Sequence, residues 1–293
     1  MPFENMPRYM SEEFRSTQVR LAHQLSNLTA KDVTTKALEN IENNPNSIMY
    51  LINKIVERRL DEGLTSGTIR MVSPYIFTYK YYNEEGNIVF DEAKEILQLL
   101  RDNPDITIEV ITPSVLTANN FATQAMIDIG MIPRFLLTPA LQEVWKADKK
   151  EGELNPQVVE SEEWKKLINH PQIFIYQTGK LDSVLLGGRS HYGKLHAKFI
   201  LGDQVGFVGT SNFDYRSNLY NTEMGFFFRS PELQKDLLKE YEWLKANSYR
   251  WGTPEWLQMR KDLMEADAKE SGSTRKQRGI YKTIKTFGVE YLM

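Results

Sequence analysis

The sequence predicts an α/β fold in which helices cover both faces of a mixed central sheet, with extra helices at both ends of the chain. Segments rich in β-branched residues alternate with amphipathic segments after Gly67. Thr68–Tyr75 and Ile106–Thr112 are predicted strands, Asp91–Leu100 is a predicted helix, and another helix begins near Asn119. This strand–helix–strand–helix order is typical of layered α/β domains. A chain of 293 residues, 41% of them hydrophobic, has enough apolar material for such a core.

The second half of the chain continues the pattern. Residues 231–247 and 254–270 have good helix propensity. Trp243, Trp251 and Trp256 are expected to hold the first of these helices against the segment that follows it. Short apolar runs predict four more strands, the middle two joined by a tight turn at 202–204: Ile173–Gln177, Leu195–Leu201, Val205–Val208 and Glu223–Phe228.

Three segments depart from this alternation. Residues 11–60 are predicted to be helical, because Ile48–Leu60 places its apolar residues at helical spacing. Residues 146–163 are highly charged and predict a solvated excursion from the core. Residues 271–285 form a basic tail whose first part is expected to be loosely ordered.

Composition excludes some classes of protein. The chain has no cysteine, so disulfide scaffolds and thiolate metal sites are excluded. Its net charge is −3, whereas dedicated nucleic-acid binders usually have a basic surface. No apolar run is long enough for a transmembrane helix, and the first residues do not resemble a signal peptide. We therefore expect a cytoplasmic or peripheral membrane protein.

The chemistry of the chain is concentrated between Leu195 and Phe228. His196 and Lys198 are two residues apart on a predicted strand, so their side chains are expected to share a face and to address one anion together. The following strand ends in Gly209-Thr210-Ser211-Asn212, which adds hydroxyl and amide donors. A cation, an imidazole and hydrogen-bond donors around one point can stabilise a phosphoryl transition state. Glu223 could orient the imidazole by accepting its second N–H.

These residues resemble a known family. His196-x-Lys198, four residues and then Asp203, followed by Gly209-Thr210-Ser211-Asn212, is similar to the HxKxxxxD…GSxN signature of the phospholipase D superfamily. The continuation to Glu223 resembles the branch of cardiolipin synthases and bacterial phospholipases D, and within it the C-terminal lobe. Thr210 replaces the usual serine but keeps the hydroxyl. The resemblance implies a phospholipase D-like α-β-α sandwich.

The resemblance covers the middle of the chain and divides it into three parts. Residues 1–45 form the N-terminal helical segment, 46–250 the catalytic lobe with one HxKxxxxD motif, and 251–293 a C-terminal helix and basic tail.

The resemblance also implies roles for individual residues. The implied catalytic set is His196, Lys198, Asp203 and Glu223. His196 would form a phosphohistidine intermediate, Glu223 would hold its ring, and Asp203 would brace the motif loop. The resemblance implies that no metal or cofactor is required. The residues implied to bind the substrate phosphate are Lys198, Thr210, Ser211 and Asn212.

Only one motif is present, whereas the family builds its active site from two. The second half-site could come from another copy of the chain in a homodimer, or from a separate protein that carries the other motif. A third alternative is a remnant that binds phosphate groups without turnover.

The resemblance favours phospholipids as substrates, with hydrolysis or transfer of a phosphatidyl group. The aromatic run Tyr75–Tyr82 is compatible with peripheral membrane contact and equally with ordinary packing under a loop. The basic tail is compatible with contact to anionic lipid and equally with a solvated tail. One alternative is a nuclease of the same superfamily, which the acidic pI of about 5.9 disfavours. The other is a non-catalytic subunit that binds lipid or a partner.

Overall fold

The structure of the chain is a computed structural model. It describes residues 18–24, 43–83, 85–147, 156–180, 184–186, 189–191, 193–219, 221–265 and 269–289. The strands are β1 (Gln18–Gln24), β2 (Gly67–Val72), β3 (Lys80–Tyr82), β4 (Ile88–Asp91), β5 (Ile106–Pro113), β6 (Ile173–Thr178), β7 (Val184–Leu186), β8 (Arg189–His191), β9 (Phe199–Leu201), β10 (Gly206–Gly209), β11 (Glu223–Arg229) and β12 (Ser248–Arg250).

A π-helical turn at Ile127–Met131 joins the helices Phe121–Met126 and Ile132–Leu136. The helices are α1 (Ile48–Asp61), α2 (Glu92–Asp102), α3 (Phe121–Met126), α4 (Ile132–Leu136), α5 (Pro139–Ala147), α6 (Pro156–Val159), α7 (Glu162–Ile168), α8 (Tyr215–Leu219), α9 (Pro231–Ala246), α10 (Pro254–Glu265) and α11 (Lys269–Phe287).

Eight strands form one mixed sheet in the order β1-β11-β10-β9-β2-β5-β6-β12. The three strands β2, β5 and β6 are parallel, whereas β9, β10, β11 and β1 continue the sheet in antiparallel fashion. The carboxyl ends of β2, β5, β6 and β10 therefore meet the amino ends of β9 and β11 at one edge. We call this edge the site edge.

Helices cover both faces of the sheet. On one face α9 buries Tyr241 against Val72, Phe199 and Phe228. On the other face the helices of the first half of the chain pack over β5 and β6, where Val110 is buried. The predicted α-β-α arrangement with a mixed sheet is confirmed.

Four tryptophans from α5, α7, α10 and the segment between β12 and α10 form one cluster. Trp145, Trp164, Trp251 and Trp256 are buried, and the rings of Trp251 and Trp256 lie 4.9 Å apart between centroids. Trp243 is instead 53% exposed. The prediction that Trp243 joins the other two in holding α9 is therefore wrong.

A buried polar network fixes the C-terminal helices to the π-helical turn. Asp128 accepts hydrogen bonds from Gln177 at 2.6 Å and from Gln277 at 2.7 Å, and Arg260 lies 3.3 Å from its carboxylate. Trp256 donates to Gln177 at 2.6 Å. Because a buried carboxylate is costly without partners, this network joins α10 and α11 firmly to the lobe.

The structure corrects several predictions at the segment ends. Ile48–Leu60 is helical as expected, but Gln18–Gln24 forms a strand paired with β11, so the helical prediction for 11–60 is wrong there. The basic tail 271–285 lies within the helix Lys269–Phe287. The charged region 146–163 contributes the end of α5, α6 and the start of α7, and 148–155 lies outside the described residues. The domain boundaries after residues 45 and 250 stay a prediction.

One half-buried carboxyl, that of Glu92, predicts a pH dependence of stability. Burial raises the pKa of Glu92 to about 7, against an ordinary value of 4.5, although the N–H of Tyr79 donates to it at 3.0 Å. The folded chain therefore binds more protons than the unfolded chain between these values, so this contribution is favourable below pH 4.5 and is lost as the pH rises through 7.

We expect Glu92→Gln to remove this loss while keeping an acceptor for Tyr79. Between pH 4 and pH 8 the free energy of unfolding of the variant should increase by about 3 kcal/mol relative to that of the wild type, because each unit of pKa is worth ~1.4 kcal/mol. Urea unfolding at both pH values measures the difference. Parallel pH profiles for the two proteins would contradict the assignment.

Candidate active site

The register of three strands brings the predicted site residues to the site edge. Phe199 of β9 pairs with Val208 of β10, and the N–H of Gly209 donates to the carbonyl of Lys198 at 3.3 Å. Gly209 in turn pairs with Gly225 of β11, and the N–H of Thr210 donates to the carbonyl of Met224 at 2.9 Å. Lys198, Thr210 and Glu223 therefore lie at the ends of three adjacent strands.

His196 and Lys198 are in direct contact. The Nζ of Lys198 lies 2.8 Å from Nδ1 and 3.0 Å from Nε2 of His196, and it donates to the His196 carbonyl at 2.8 Å. His196 is exposed, whereas Lys198 is 8% exposed. The predicted strand begins only at Phe199, so its part at Leu195–Lys198 is wrong. The two side chains meet because the lysine stem turns back over the irregular segment.

The pKa values of both side chains are lowered, mainly by desolvation. Partial burial, assisted by the charge of Lys198, lowers the pKa of His196. Burial also lowers the pKa of Lys198, and the carboxylates of Glu223 and Asp214 partly offset this effect. A neutral imidazole is therefore favoured at pH 7, and this is the form that has a lone pair for nucleophilic attack.

The loop after β10 is held from both sides. Ser73, at the end of β2, donates to the carbonyl of Asn212 at 2.7 Å, and the N–H of Asn212 donates to Ser217 at 3.0 Å. The side-chain oxygen of Asn212 is buried, and within the described part of the chain it has no hydrogen-bond partner. Because unpaired buried polar atoms are costly, this oxygen can still accept a hydrogen bond, whereas a phosphate oxygen would be bound through the Nδ2 donor of the same amide.

Glu223 contacts the loop that follows β10. Its carboxylate accepts hydrogen bonds from the Thr210 hydroxyl and, at 3.1 Å, from the side chain of Asn221. Among the described residues no hydrogen bond joins it to His196. The structure thus places Glu223 where it holds Thr210 and acts electrostatically on Lys198, and it does not show the predicted contact with the ring.

Two predicted site residues lie away from the reacting groups. The hydroxyl of Ser211 is buried and accepts the N–H of Phe213 at 3.4 Å, so it supports the turn. Asp203 lies in the β9–β10 hairpin at the opposite edge of the sheet, where it pairs with Arg59 at 2.8 Å. This contact braces α1 against the hairpin.

Two supporting residues, Asp214 and Ser73, were not part of the predicted site. Asp214 is buried and accepts the N–H of Ser217 at 2.7 Å, which is the N-terminal capping arrangement of the short helix α8. The spacing of an aspartate three residues before a serine is a weak signal of this cap. Ser73 gives no signal in the sequence because its partner Asn212 is 139 residues away.

Of the histidines whose side chains the structure describes, neither His23 nor His170 supplies a second imidazole at this point. His23 lies at the site edge on β1. It is far from His196, because three strand spacings of ~4.8 Å separate β1 from β9. His170 lies before β6 at the opposite edge, where it accepts the N–H of Gln172 at 3.1 Å. The side chain of His191 is outside the description.

The described residues contain no cluster of three or more His, Asp and Glu side chains that could hold a metal. Of the helices described, none is long and apolar enough to span a bilayer.

The fold and the site together define the class of this protein: a mixed α/β sandwich with a histidine–lysine pair at one edge of its sheet. A family model described as "Cardiolipin synthase, PLD-like domain" matches residues 68–245. The chain therefore belongs to the phospholipase D superfamily, whose members are phosphodiesterases. This match confirms the resemblance seen in the sequence. No curated protein matches the chain.

Several solved structures resemble the fold. NucT from Helicobacter pylori is 12% identical, with 80% of this chain and 100% of that chain covered and a TM-score of 0.40. Phosphatidylserine synthase from Haemophilus influenzae Rd KW20 is 11% identical, with 96% and 48% covered and a TM-score of 0.44. Nuc from Salmonella typhimurium, a phospholipase D family member, is 10% identical, with 80% and 99% covered and a TM-score of 0.34. Likenesses this distant assign no substrate.

The contact between Lys198 and His196 predicts a measurable titration. Lys198→Gln should raise the pKa of His196 because it removes a positive charge 2.8 Å from the ring, while the desolvation remains. The chain has four histidines, so NMR titration can resolve each of them. Lys194→Gln is the control, because Lys194 donates to Leu116 instead. Equal shifts in both variants would refute the coupling.

Proposed function

We propose that the chain is one half of a phospholipase D-type phosphodiesterase that acts on phospholipids through a phosphohistidine intermediate. The observation that carries the proposal is the contact of Lys198 with both ring nitrogens of His196, at 2.8 and 3.0 Å. This pair lies at the edge of the sheet that also presents Thr210 and Asn212. An imidazole, a cation and an amide around one point suit an anionic phosphodiester.

In the proposed reaction a nitrogen of His196 attacks phosphorus. The new N–P bond forms as the bond from phosphorus to the leaving alcohol oxygen breaks. Lys198 and Asn212 hold the non-bridging oxygens, and Thr210, fixed by Glu223, assists them. Water or a second alcohol then attacks phosphorus and releases His196, which gives either hydrolysis or phosphatidyl transfer.

The leaving alkoxide needs a proton that His196 cannot donate while it attacks. A second imidazole must supply this proton and later take one from the incoming water or alcohol. Neither of the other two histidines with described side chains, His23 and His170, lies near His196, and we propose that a partner chain provides the second imidazole. A second copy of this chain is the simpler partner, because closed two-fold pairs are the commonest oligomers.

The surface near the site supports a lipid substrate over a nucleic acid. The β3–β4 hairpin adjoins α8, since the N–H of Lys80 donates to the hydroxyl of Tyr215 at 3.1 Å. This hairpin exposes Tyr82, Ile88 and Val89, at 38%, 48% and 52%. Aromatic and aliphatic side chains exposed together suit a membrane interface. The overall charge of −3 gives no support to binding of a polyanion.

Mixing experiments test the shared site. If one site needs His196 from two copies, a 1:1 mixture of wild type and His196→Ala that has exchanged subunits should retain about a quarter of the wild-type activity per total protein, because random pairing leaves that fraction intact. Independent chains would retain about half. Lys194→Ala mixed in the same way is the control and should cause little loss. Light scattering on the same fractions gives the mass, and an inactive monomer would point to a separate partner protein.

The hairpin gives a test of the substrate. Ile88→Asp with Val89→Asp should lower activity on phospholipid vesicles at least ~10-fold, because burial of these side chains at an interface is worth ~1.5–3 kcal/mol each. Activity on a soluble short-chain phosphodiester should change little. Arg101→Asp on the exposed face of α2 is the charge control. Equal losses on both substrates would contradict membrane contact, and turnover of DNA instead of lipid would favour the nuclease.

A further inference from the structure

A large apolar cavity lies between the helices and the sheet, away from His196. Its volume is about 540 Å³. Ile69, Ile108 and Ile175 form its floor on β2, β5 and β6, and Ile52 and Val56 of α1 form part of its roof. Neither His196 nor Lys198 lines it. An apolar cavity of ~150 Å³ is enough to bind benzene, so this space is roughly three to four times larger than a small ring requires.

The cavity extends along α1 and across the sheet. Its residues on α1 run from Met49 to Arg59, a distance of roughly 15 Å at ~1.5 Å per residue. Its lining reaches from β11, β10 and β9 across β2 and β5 to β6. We call this space between the helix and the sheet the slot, and its length is sufficient for an aliphatic chain.

The two ends of the slot differ. At one end the ion pair between Arg59 and Asp203 offers polar groups, and Asp203 is 46% exposed. Away from this end the rings of Phe77 and Phe213 and the carboxyl of Glu92 also line the slot, and the N–H of Phe77 donates to the carbonyl of Phe213 at 3.3 Å. Phe213 directly follows Asn212 in the chain, but Asn212 does not line the cavity.

We propose that the cavity binds the aliphatic chain of an amphiphile, with the polar head at the Arg59–Asp203 end. Protein interiors are close-packed, and the cost of an empty cavity grows with its volume. Lining residues that are mainly aliphatic and aromatic select a hydrocarbon over a polar ligand. Because His196, Lys198 and Asn212 do not line the cavity, the ligand is a molecule separate from the phosphodiester under attack. The proposal therefore goes beyond the proposed activity and does not depend on it.

Thermal unfolding with palmitate below its micelle concentration tests the site. At a hundredfold excess over its Kd, palmitate should raise the Tm of the wild type by about 4–8 °C. Acetate should cause no rise, which separates the aliphatic chain from the carboxylate. A wild type that shows no rise with palmitate would overturn the proposal.

A matched pair of variants locates the binding. Val56→Phe fills the slot from α1, and Val144→Phe makes the same change on the exposed face of α5. In Val56→Phe most of the palmitate-induced rise in Tm should be lost, while the Tm without ligand stays equal to or above that of the wild type. Val144→Phe should keep the full rise.

Three results would overturn the proposal. These are a full rise in Val56→Phe, a loss in Val144→Phe, or a Tm of Val56→Phe without ligand that falls by several degrees, since the last would mean that other parts of the chain already fill the space. His196→Ala should bind palmitate like the wild type. Loss of turnover with retained binding in that variant keeps this site and the proposed activity distinguishable.

Discussion

The position of the candidate site depends on the packing of Phe207 across two facing glycines. Gly209 of β10 pairs with Gly225 of β11, and a Cβ at Gly225 would lie 2.4 Å from the Phe207 ring, while one at Gly209 would lie 2.6 Å from it. The absence of both Cβ atoms lets the ring lie flat over the strand pair. Since a slip by one residue would turn every side chain to the other face, this contact fixes where Thr210 and Glu223 emerge.

The sheet and the loops position different residues of the candidate site. The strands set the spacing between Lys198, Thr210 and Glu223, because hydrogen bonds across β9, β10 and β11 fix their ends. The loop at Asn212 is instead set by groups from β2 and α8, namely Ser73 and Ser217. Parallel and antiparallel halves of the sheet thus meet at the site, and this junction explains why a mixed sheet serves it.

Local signals predicted the centre of the fold well and its periphery poorly. Ile106–Thr112 differs from the observed strand only at its last residue, because β-branched residues determine a buried parallel strand locally. Gln18–Gln24 was predicted as helix because its strand partner β11 lies about two hundred residues away. The tail was expected to be loosely ordered because it is basic and polar, yet Gln277 is buried against Asp128 in a contact that only the tertiary structure creates. At the site, the residue types were predictable, but the contact of Lys198 with the ring arises without the strand that was expected to cause it.

The exposure of the two central side chains fits a half-site better than a complete one. Lys198 is buried and accompanied by the buried carboxylates of Glu223 and Asp214, so its position is fixed before any ligand arrives. His196 is exposed at the rim of the sheet, where one face of its ring is open to whatever approaches. A nucleophile in a complete site is normally enclosed, because exclusion of water strengthens the electrostatic interactions around it. In the proposed half-site, a second surface would close over this exposed imidazole and bring the proton donor with it.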